Sequence, residues 1–179
     1  MLLLQTIILG VLLLFVFGLI LTGVMNLWLG VPSVPTPLPV VRTMIELAEL
    51  KDHDTIFDLG AGDGRLLIEA KKRYPSIRAI GCELIPTIWL IGKLRIFFSR
   101  QRVTFLLGDV FKQDVTDADA VFLYLFPELL KKLVPRFDRM LRPGTRVVSH
   151  SFRCPGKNPV SEKKVRGYWG ETTVYVYEW

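Results

Sequence analysis

A glycine-rich turn at residues 58–65, with the sequence DLGAGDGR, leaves few folds open to this chain. The mostly apolar run Thr55–Leu59 before it predicts a short strand, and the pattern after it predicts a helix over 65–74. Glycine lets the backbone turn sharply and approach a ligand closely, and a helix start offers free N–H groups. The turn therefore predicts a strand–loop–helix unit with a ligand bound at the loop.

The alternation of strands and helices continues to the C-terminus. Apolar periodicity predicts helices at 40–50, 85–99 and 127–141 and strands at 77–83, 103–107, 120–126, 145–149, 163–166 and 172–178. Alternating elements of this kind form a parallel sheet covered by helices on both faces. The last two strands flank a Gly-Tyr-Trp-Gly turn as a hairpin. The predicted fold class is α/β, a Rossmann-like doubly wound and mostly parallel sheet with an antiparallel C-terminal hairpin.

Three of the predicted strands end on an acidic residue, Asp58, Glu83 or Asp109. Ligands of open α/β sheets bind beyond the carboxyl ends of the strands, so these carboxylates are expected along one crevice. The GxGxG spacing differs from the GxGxxG of dinucleotide-binding proteins, and carboxylates would repel a pyrophosphate. They suit a ligand that carries a sulfonium and an ammonium group, which indicates S-adenosylmethionine (SAM).

Each part of this crevice has an expected role in binding SAM. Glu83 can accept hydrogen bonds from both ribose hydroxyls. Asp109 can accept one from the adenine amino group while the Val110 N–H donates to the ring, and Leu84 packs on the adenine face. The remaining predicted SAM contacts are the loop residues Asp58, Gly60, Ala61, Gly62, Asp63 and Gly64. The alternatives are glycines that serve only a tight turn, and acids that cap helices or face solvent.

The first 41 residues contain no Asp, Glu, Lys, Arg or His, and most of them form one apolar run. The run is longer than the roughly 20 residues that span a bilayer; a cleaved signal peptide, the alternative, would have an early positive charge and a shorter apolar core. The basic residues that follow favour a cytoplasmic position for the rest of the chain. The predicted organisation is a transmembrane helix at 1–29, a Pro-rich spacer at 30–39 and a catalytic domain at 40–179, in a single-pass membrane protein.

The net charge of +6 belongs to the part of the chain after residue 41. A basic surface suits anionic lipid headgroups, nucleic acid or an acidic partner, or it is simply a solvated helix surface. The two cysteines lack CxxC spacing and there are only two histidines, so no metal site is predicted.

From about residue 36 to 179, the chain resembles the class I SAM-dependent methyltransferases. DLGAGDGR matches their first motif, Glu83 their acidic residue after the second strand, and Asp109 their adenine contact. A narrower resemblance is to the mitochondrial lysine methyltransferases of the ATP synthase c subunit and the adenine nucleotide translocase, and to their prokaryotic relatives. Those proteins also carry an N-terminal hydrophobic segment and open their domain with Val-Pro-(Ala/Thr). The resemblance implies that Thr36 and Pro37 border the donor pocket.

The stretch Tyr124-Leu125-Phe126-Pro127, at the end of the fourth strand, faces the acceptor in class I enzymes. It lacks the (Asp/Asn)-Pro-Pro-Tyr pattern of enzymes that methylate base nitrogens, which predicts that nucleic acid is not a partner. The predicted catalytic residues are Tyr124, Phe126 and Pro127: Tyr124 lines the acceptor channel and Phe126 supplies an aromatic wall that attracts an ammonium methyl group. Core packing is the alternative for both aromatics.

The leading functional interpretation is a protein-lysine methyltransferase whose acceptor is a membrane protein. Two alternatives stay open: a methyltransferase for a lipophilic small molecule such as a quinone or lipid, and a SAM-binding module without catalysis. His150 and Ser151, at the end of the fifth strand, could also reach the acceptor pocket.

Overall fold

The structure is a computed structural model that describes residues 1–29 and 34–179 and forms two compact units, Met1–Val34 and Pro35–Trp179. The first unit contains helix α1, Leu2–Leu29. The second contains the remaining elements: α2 (Leu38–Leu47), β1 (Thr55–Leu59), α3 (Arg65–Arg73), β2 (Arg78–Glu83), α4 (Pro86–Ser99), β3 (Thr104–Leu107), a 3-10 turn (Val110–Lys112), β4 (Ala120–Leu123), α5 (Pro127–Met140), β5 (Arg146–His150), β6 (Ser161–Arg166) and β7 (Glu171–Glu178).

The strands of the second unit form one seven-stranded sheet in the order β3-β2-β1-β4-β5-β7-β6. The first five pair in parallel, and β7 pairs antiparallel with both β5 and β6. The strand order reverses at β1, and β4 lies on its other side. A ligand crevice forms at such a reversal, beyond the carboxyl ends of the central strands. The predicted Rossmann-like sheet with an antiparallel C-terminal hairpin is confirmed.

Both faces of the central strands β1, β4 and β5 are buried, as expected for strands that are apolar almost throughout. One core combines alternate strand residues with the apolar sides of α2 and α3, including Met44 and Leu67. The other core lies between the opposite face and α5, whose Leu130, Leu133 and Phe137 are almost fully buried. This double covering fixes the register of β1 and β4, and therefore the position of the residues that follow them.

Two predicted boundaries differ from the structure. Helix α2 begins at Leu38, inside the predicted Pro-rich spacer, because Pro39 occupies a first-turn position where its missing N–H is no cost. Strand β4 ends at Leu123, so Tyr124 and Phe126 belong to the loop before α5. Residues 30–33 of the predicted spacer lie outside the described residues.

The prediction of a transmembrane anchor is wrong. Across residues 1–29 and 34–179, no helix combines the length and the apolarity that crossing a membrane requires. Residues Leu2–Leu29 are helical, and this helix includes the polar residues Gln5 and Thr6. We therefore withdraw the single-pass topology with a cytoplasmic catalytic domain, and the attachment to a membrane through the N-terminal helix.

Gly81 of β2 allows α3 to pack closely against the sheet. A Cβ atom at this position would lie 2.4 Å from Leu67 Cδ1 and 2.9 Å from Phe105 Cδ2. We expect Gly81→Ala to lower the free energy of unfolding by about 1–3 kcal/mol, the usual cost of overpacking a core. Urea denaturation measures it, with Gly108→Ala as control because its nearest contact would be 3.4 Å away. Equal loss of stability in both variants would contradict the prediction.

Candidate active site

The loop between β1 and α3 is held in place by the end of β2. Gly60, Gly62 and Gly64 have φ of 81°, 56° and 73°, a region that residues with a Cβ rarely adopt. The N–H groups of Gly60 and Ala61 both donate to the carbonyl of Cys82 at 2.9 Å. The predicted loop residues therefore lie directly beside the end of β2, where Glu83 is found.

Glu83 joins the loop to the start of α4 through its carboxylate. Oε2 accepts a hydrogen bond from the Gly62 N–H at 3.0 Å, and Oε1 accepts one from the Ile85 N–H at 2.8 Å. Burial raises the pKa of Glu83, and the backbone N–H groups around it oppose that rise. Each carboxylate oxygen has a further lone pair, so Glu83 can still accept hydrogen bonds from two ligand hydroxyls.

Asp58 is a buried carboxyl group in the centre of the sheet's carboxyl edge, only 7% exposed. Burial, followed by the negative charges of Glu83 and Asp63, raises its pKa to about 8. An acid in this setting ionises readily only when a positive charge is brought next to it. The sulfonium and ammonium groups of SAM carry such charge.

Asp63 interacts with cationic side chains of the protein. Its carboxylate pairs with Arg65, at 2.7 Å from Nη2, and with Arg95 of α4. Burial alone would raise the pKa of Asp63, but the hydrogen bonds from Arg65 and the charges of Arg65 and Arg95 hold it below its usual value. Arg65 also donates to the Thr36 carbonyl at 2.9 Å and to the Tyr168 hydroxyl at 3.3 Å. Thr36, which precedes Pro37 and α2, is thereby brought to the loop.

The predicted adenine-binding residues follow β2 and β3. Asp109 Oδ1 accepts from the Phe111 N–H at 2.9 Å and caps the short 3-10 turn that begins at Val110. Leu84 is 41% exposed, and Ile85 next to it is buried. Because β2 and β3 are neighbours and Glu83 pairs with Leu107 in their register, Asp109 lies one strand away from Glu83.

Aromatic rings surround the predicted acceptor position after β4. The rings of Tyr124 and His150 lie 4.1 Å apart between centroids, and Phe152 lies 6.3 Å from Tyr124 and 5.4 Å from Phe126. Pro127 is at the first turn of α5 and follows Phe126 directly. Phe152 and Tyr168 were missed by the sequence reasoning. A signal for both was present: Phe152 lies three residues after the predicted strand 145–149, and Tyr168 lies within the Gly-Tyr-Trp-Gly turn.

His150 is a neutral component of this aromatic group. Nε2 lies 3.0 Å from the Thr172 hydroxyl, and burial lowers the pKa of His150 to about 4. Nδ1 is buried and has no hydrogen-bond partner among the described residues. A neutral, buried imidazole packs against Tyr124 and orients its ring, and it adds no charge to the acceptor position.

SAM fits this set of groups by its chemistry. Its ribose offers two hydroxyls to Glu83, its adenine amino group matches Asp109, and its cationic centres match Asp58, where burial disfavours an unpaired negative charge. A helix N-terminus such as that of α3 can offer N–H groups to its carboxylate.

Comparisons with known proteins agree with this geometry. The ANTKMT methyltransferase domain family matches residues 58–161. A protein-lysine N-methyltransferase of Saccharolobus islandicus (strain REY15A) is 36% identical over 149 residues, which cover 82% of this chain and 92% of that protein. The adenine nucleotide translocase lysine N-methyltransferase of Mus musculus is 32% identical over 138 residues, 74% of this chain but only 58% of the mouse protein.

A solved structure gives the same result for the fold and the donor. The crystal structure of an RNA methyltransferase from Salinibacter ruber in complex with S-adenosyl-L-homocysteine matches with a TM-score of 0.75 and 36% identity, and it covers 81% of this chain and 93% of that one. S-adenosyl-L-homocysteine is what SAM becomes once its methyl group has been transferred. The chain therefore belongs to the ANTKMT methyltransferase domain family and is a SAM-dependent methyltransferase.

Proposed function

We propose that the acceptor is the side-chain amine of a lysine in a protein. The observation that supports this proposal is the aromatic group after β4 and β5, in which the rings of Tyr124 and Phe126 each pack against Phe152. Strand β4 pairs with β1, which leads into the donor loop. Aromatic faces attract an ammonium carbon and exclude water from an amine. The Saccharolobus relative, 36% identical, bears the name of this activity.

We assign the donor site to the residues predicted from the sequence, with one change of role. Asp58 holds the positive end of SAM, Glu83 holds the ribose, and Asp109, Val110 and Leu84 hold the adenine. Gly60, Ala61, Gly62 and Gly64 let the backbone of the loop approach the ligand closely, and Thr36 and Pro37 border it. Asp63 positions the loop through Arg65 and Arg95, because those two cations already pair with its carboxylate.

Methyl transfer to an amine is an in-line displacement that depends on alignment of the two partners. SAM supplies an electrophilic methyl group when it is bound. The residues of this chain hold the acceptor amine in line and keep water away from it. A lysine has a pKa of about 10.4 in water, and desolvation between Tyr124 and Phe126 favours the neutral amine that can react. The proton leaves to solvent before the amine is enclosed.

Incubation of the purified protein with labelled SAM and fractionated protein and RNA of its source cells tests the proposal. We expect label on lysine residues, located by mass spectrometry, in one or a few proteins. Label on RNA alone would reject the proposal and favour the activity by which the Salinibacter relative is described. Label in lipid extracts alone would favour a small lipophilic acceptor, and SAM binding without transfer would favour a non-catalytic module. A membrane protein as the acceptor stays a prediction that the same experiment tests.

Tyr124 is expected to act on the acceptor and not on the donor. Tyr124→Ala removes the ring that packs against His150, and we expect it to lower kcat about tenfold or more because the amine loses its alignment. The Kd for SAM should stay within about twofold, since Tyr124 is not among the donor residues. Tyr124→Phe keeps the ring and serves as the matched control. A matching loss of SAM affinity in Tyr124→Ala would contradict this role.

A further inference from the structure

Helix α4 has an uncovered apolar surface. Of its 14 residues only Gly92 and Ile96 are buried. Its most exposed apolar side chains lie at helical positions i, i+1, i+4, i+7 and i+8, which form one stripe; we call this stripe the α4 face, and it consists of Leu90 (54% exposed), Ile91 (58%), Leu94 (52%), Phe97 (75%) and Phe98 (77%). Single exposed apolar residues are common, but a continuous stripe of five marks a binding surface.

The charged residues of α4 and of the segment that follows it are all basic, and Arg95 among them pairs with Asp63 of the donor loop. Residues 84–107 include Lys93, Arg95, Arg100 and Arg102 and contain no Asp or Glu. Two copies of this chain, paired through the same face, would bring these cations opposite one another, which opposes a symmetric dimer. Charge complementarity instead indicates a partner with an apolar patch bordered by acidic residues.

The α4 face lies close to the catalytic edge of the sheet. Arg95 of α4 reaches Asp63 in the donor loop, and a Cβ atom at Gly92 would lie 2.6 Å from Phe105 Cε1 in β3. In the order β3-β2-β1-β4, three strand spacings of about 4.8 Å separate β3 from β4, or about 15 Å, and the thickness of helix α4 adds about 10 Å. A protein interface of ordinary size, about 800 Å² on each partner, extends farther than that. One bound protein can therefore cover the α4 face and present a lysine at Tyr124.

We infer that the α4 face is the docking surface for the acceptor protein, which contributes an apolar patch with acidic residues at its border. This inference rests on the proposed function. Docking at α4 selects the protein, while the aromatic group at Tyr124 and Phe126 selects the lysine side chain. An acceptor held by the α4 face is recognised over an area much larger than the sequence around its lysine.

The test compares an intact acceptor with a peptide from it. The acceptor is the protein in which wild-type enzyme methylates a lysine, and the peptide contains about 15 residues around that lysine. We expect the Phe97→Glu/Phe98→Glu variant to lose about tenfold or more of kcat/KM for the intact protein, as for the loss of central interface aromatics. The peptide rate and the Kd for SAM should stay within about twofold. Val160→Glu, at another exposed apolar residue (58%) next to β6, is the matched control and should behave as wild type.

The basic residues beside the α4 face are tested by Arg102→Glu. We expect this variant to lower kcat/KM for the intact protein and to make that kcat/KM less dependent on salt concentration.

Unchanged methylation of the intact protein by Phe97→Glu/Phe98→Glu overturns the docking inference but does not contradict lysine methylation. If wild-type enzyme methylates no lysine, the proposed function falls and docking falls with it. Sedimentation with vesicles of phosphatidylglycerol and phosphatidylcholine tests whether the α4 face binds lipid in place of the acceptor protein. If the wild-type protein sediments with these vesicles and Phe97→Glu/Phe98→Glu does not, while both methylate the intact acceptor at the same rate, the α4 face binds lipid. That result overturns the docking inference.

Discussion

Replacement of Glu83 by alanine is expected to weaken SAM binding about 100-fold or more. The carboxylate has two functions that one substitution removes together. It accepts the N–H groups of Gly62 and Ile85, and it is assigned to both ribose hydroxyls. Hydrogen bonds to a charged acceptor contribute about 1.5–3 kcal/mol each, so two lost ribose contacts alone account for a factor of this size.

Isothermal titration calorimetry with SAM measures this effect directly. Glu162→Gln is the control, because Glu162 is an exposed acid on β6 that pairs with Arg153, far from the donor loop in the sheet order. Far-ultraviolet circular dichroism establishes that Glu83→Ala is folded. An unchanged Kd in a folded Glu83→Ala variant would show that the ribose is bound elsewhere and that the assignment of the donor site is wrong.

The parts of this site that the sequence could predict are those with local causes. The turn at 58–65 and the positions of Glu83 and Asp109 follow from strand periodicity and glycine chemistry, which act over a few residues. Parallel pairing then brings the three strand ends together without further information. For this reason five parallel strands and the crevice beside them could be derived before any coordinates.

The parts that could not be predicted depend on residues far apart in the sequence. Asp63 was assigned to SAM, but Arg95 lies 32 positions away in sequence and pairs with it through the packing of α4. Tyr168 meets Arg65 across 103 positions. Helix α4 has apolar residues on almost all sides, a pattern that predicts a buried helix. In the structure β3 is the edge strand, and one side of α4 is exposed.

The apolar N-terminal run shows a different limit. Its composition correctly predicts a helix over Leu2–Leu29, because Leu, Ile and Val without charge or proline form helix readily in an apolar setting. The same composition and length also predict a membrane span, and no helix among the described residues is long and apolar enough to form one. Hydropathy indicates that a segment avoids water, and it leaves open what surrounds the segment.

SAM affinity is expected to rise with pH between about pH 6 and 7.5, because of Asp58. The pKa of this carboxyl is about 8 in the folded protein against 3.8 for an ordinary Asp, so near neutral pH much of it is protonated when no ligand is bound. A cationic ligand favours the ionised form, and binding must then release a proton. Well below the pKa of Asp58, the affinity for SAM rises by nearly tenfold for each unit by which the pH is raised. Asp58→Asn should bind SAM about tenfold or more weakly and with no such pH dependence.

The raised pKa of Asp58 also affects folding, and there a rise in pH lowers the stability of the ligand-free protein. Between about pH 4 and 8 the folded state keeps the Asp58 proton that the unfolded chain has lost, so the ligand-free protein becomes less stable as pH rises through that range, and Asp58 adds no further change above it. Asp58→Asn stays neutral at every pH and should be the more stable protein at pH 8 without SAM, while wild type regains the advantage when SAM is saturating. Thermal unfolding at pH 6 and 8, with and without SAM, and calorimetry in two buffers of different ionisation enthalpy measure both effects. Wild-type binding that releases no proton at pH 7, together with equal stability trends in the two proteins, would show that Asp58 is ionised without the ligand and has no part in holding its charge.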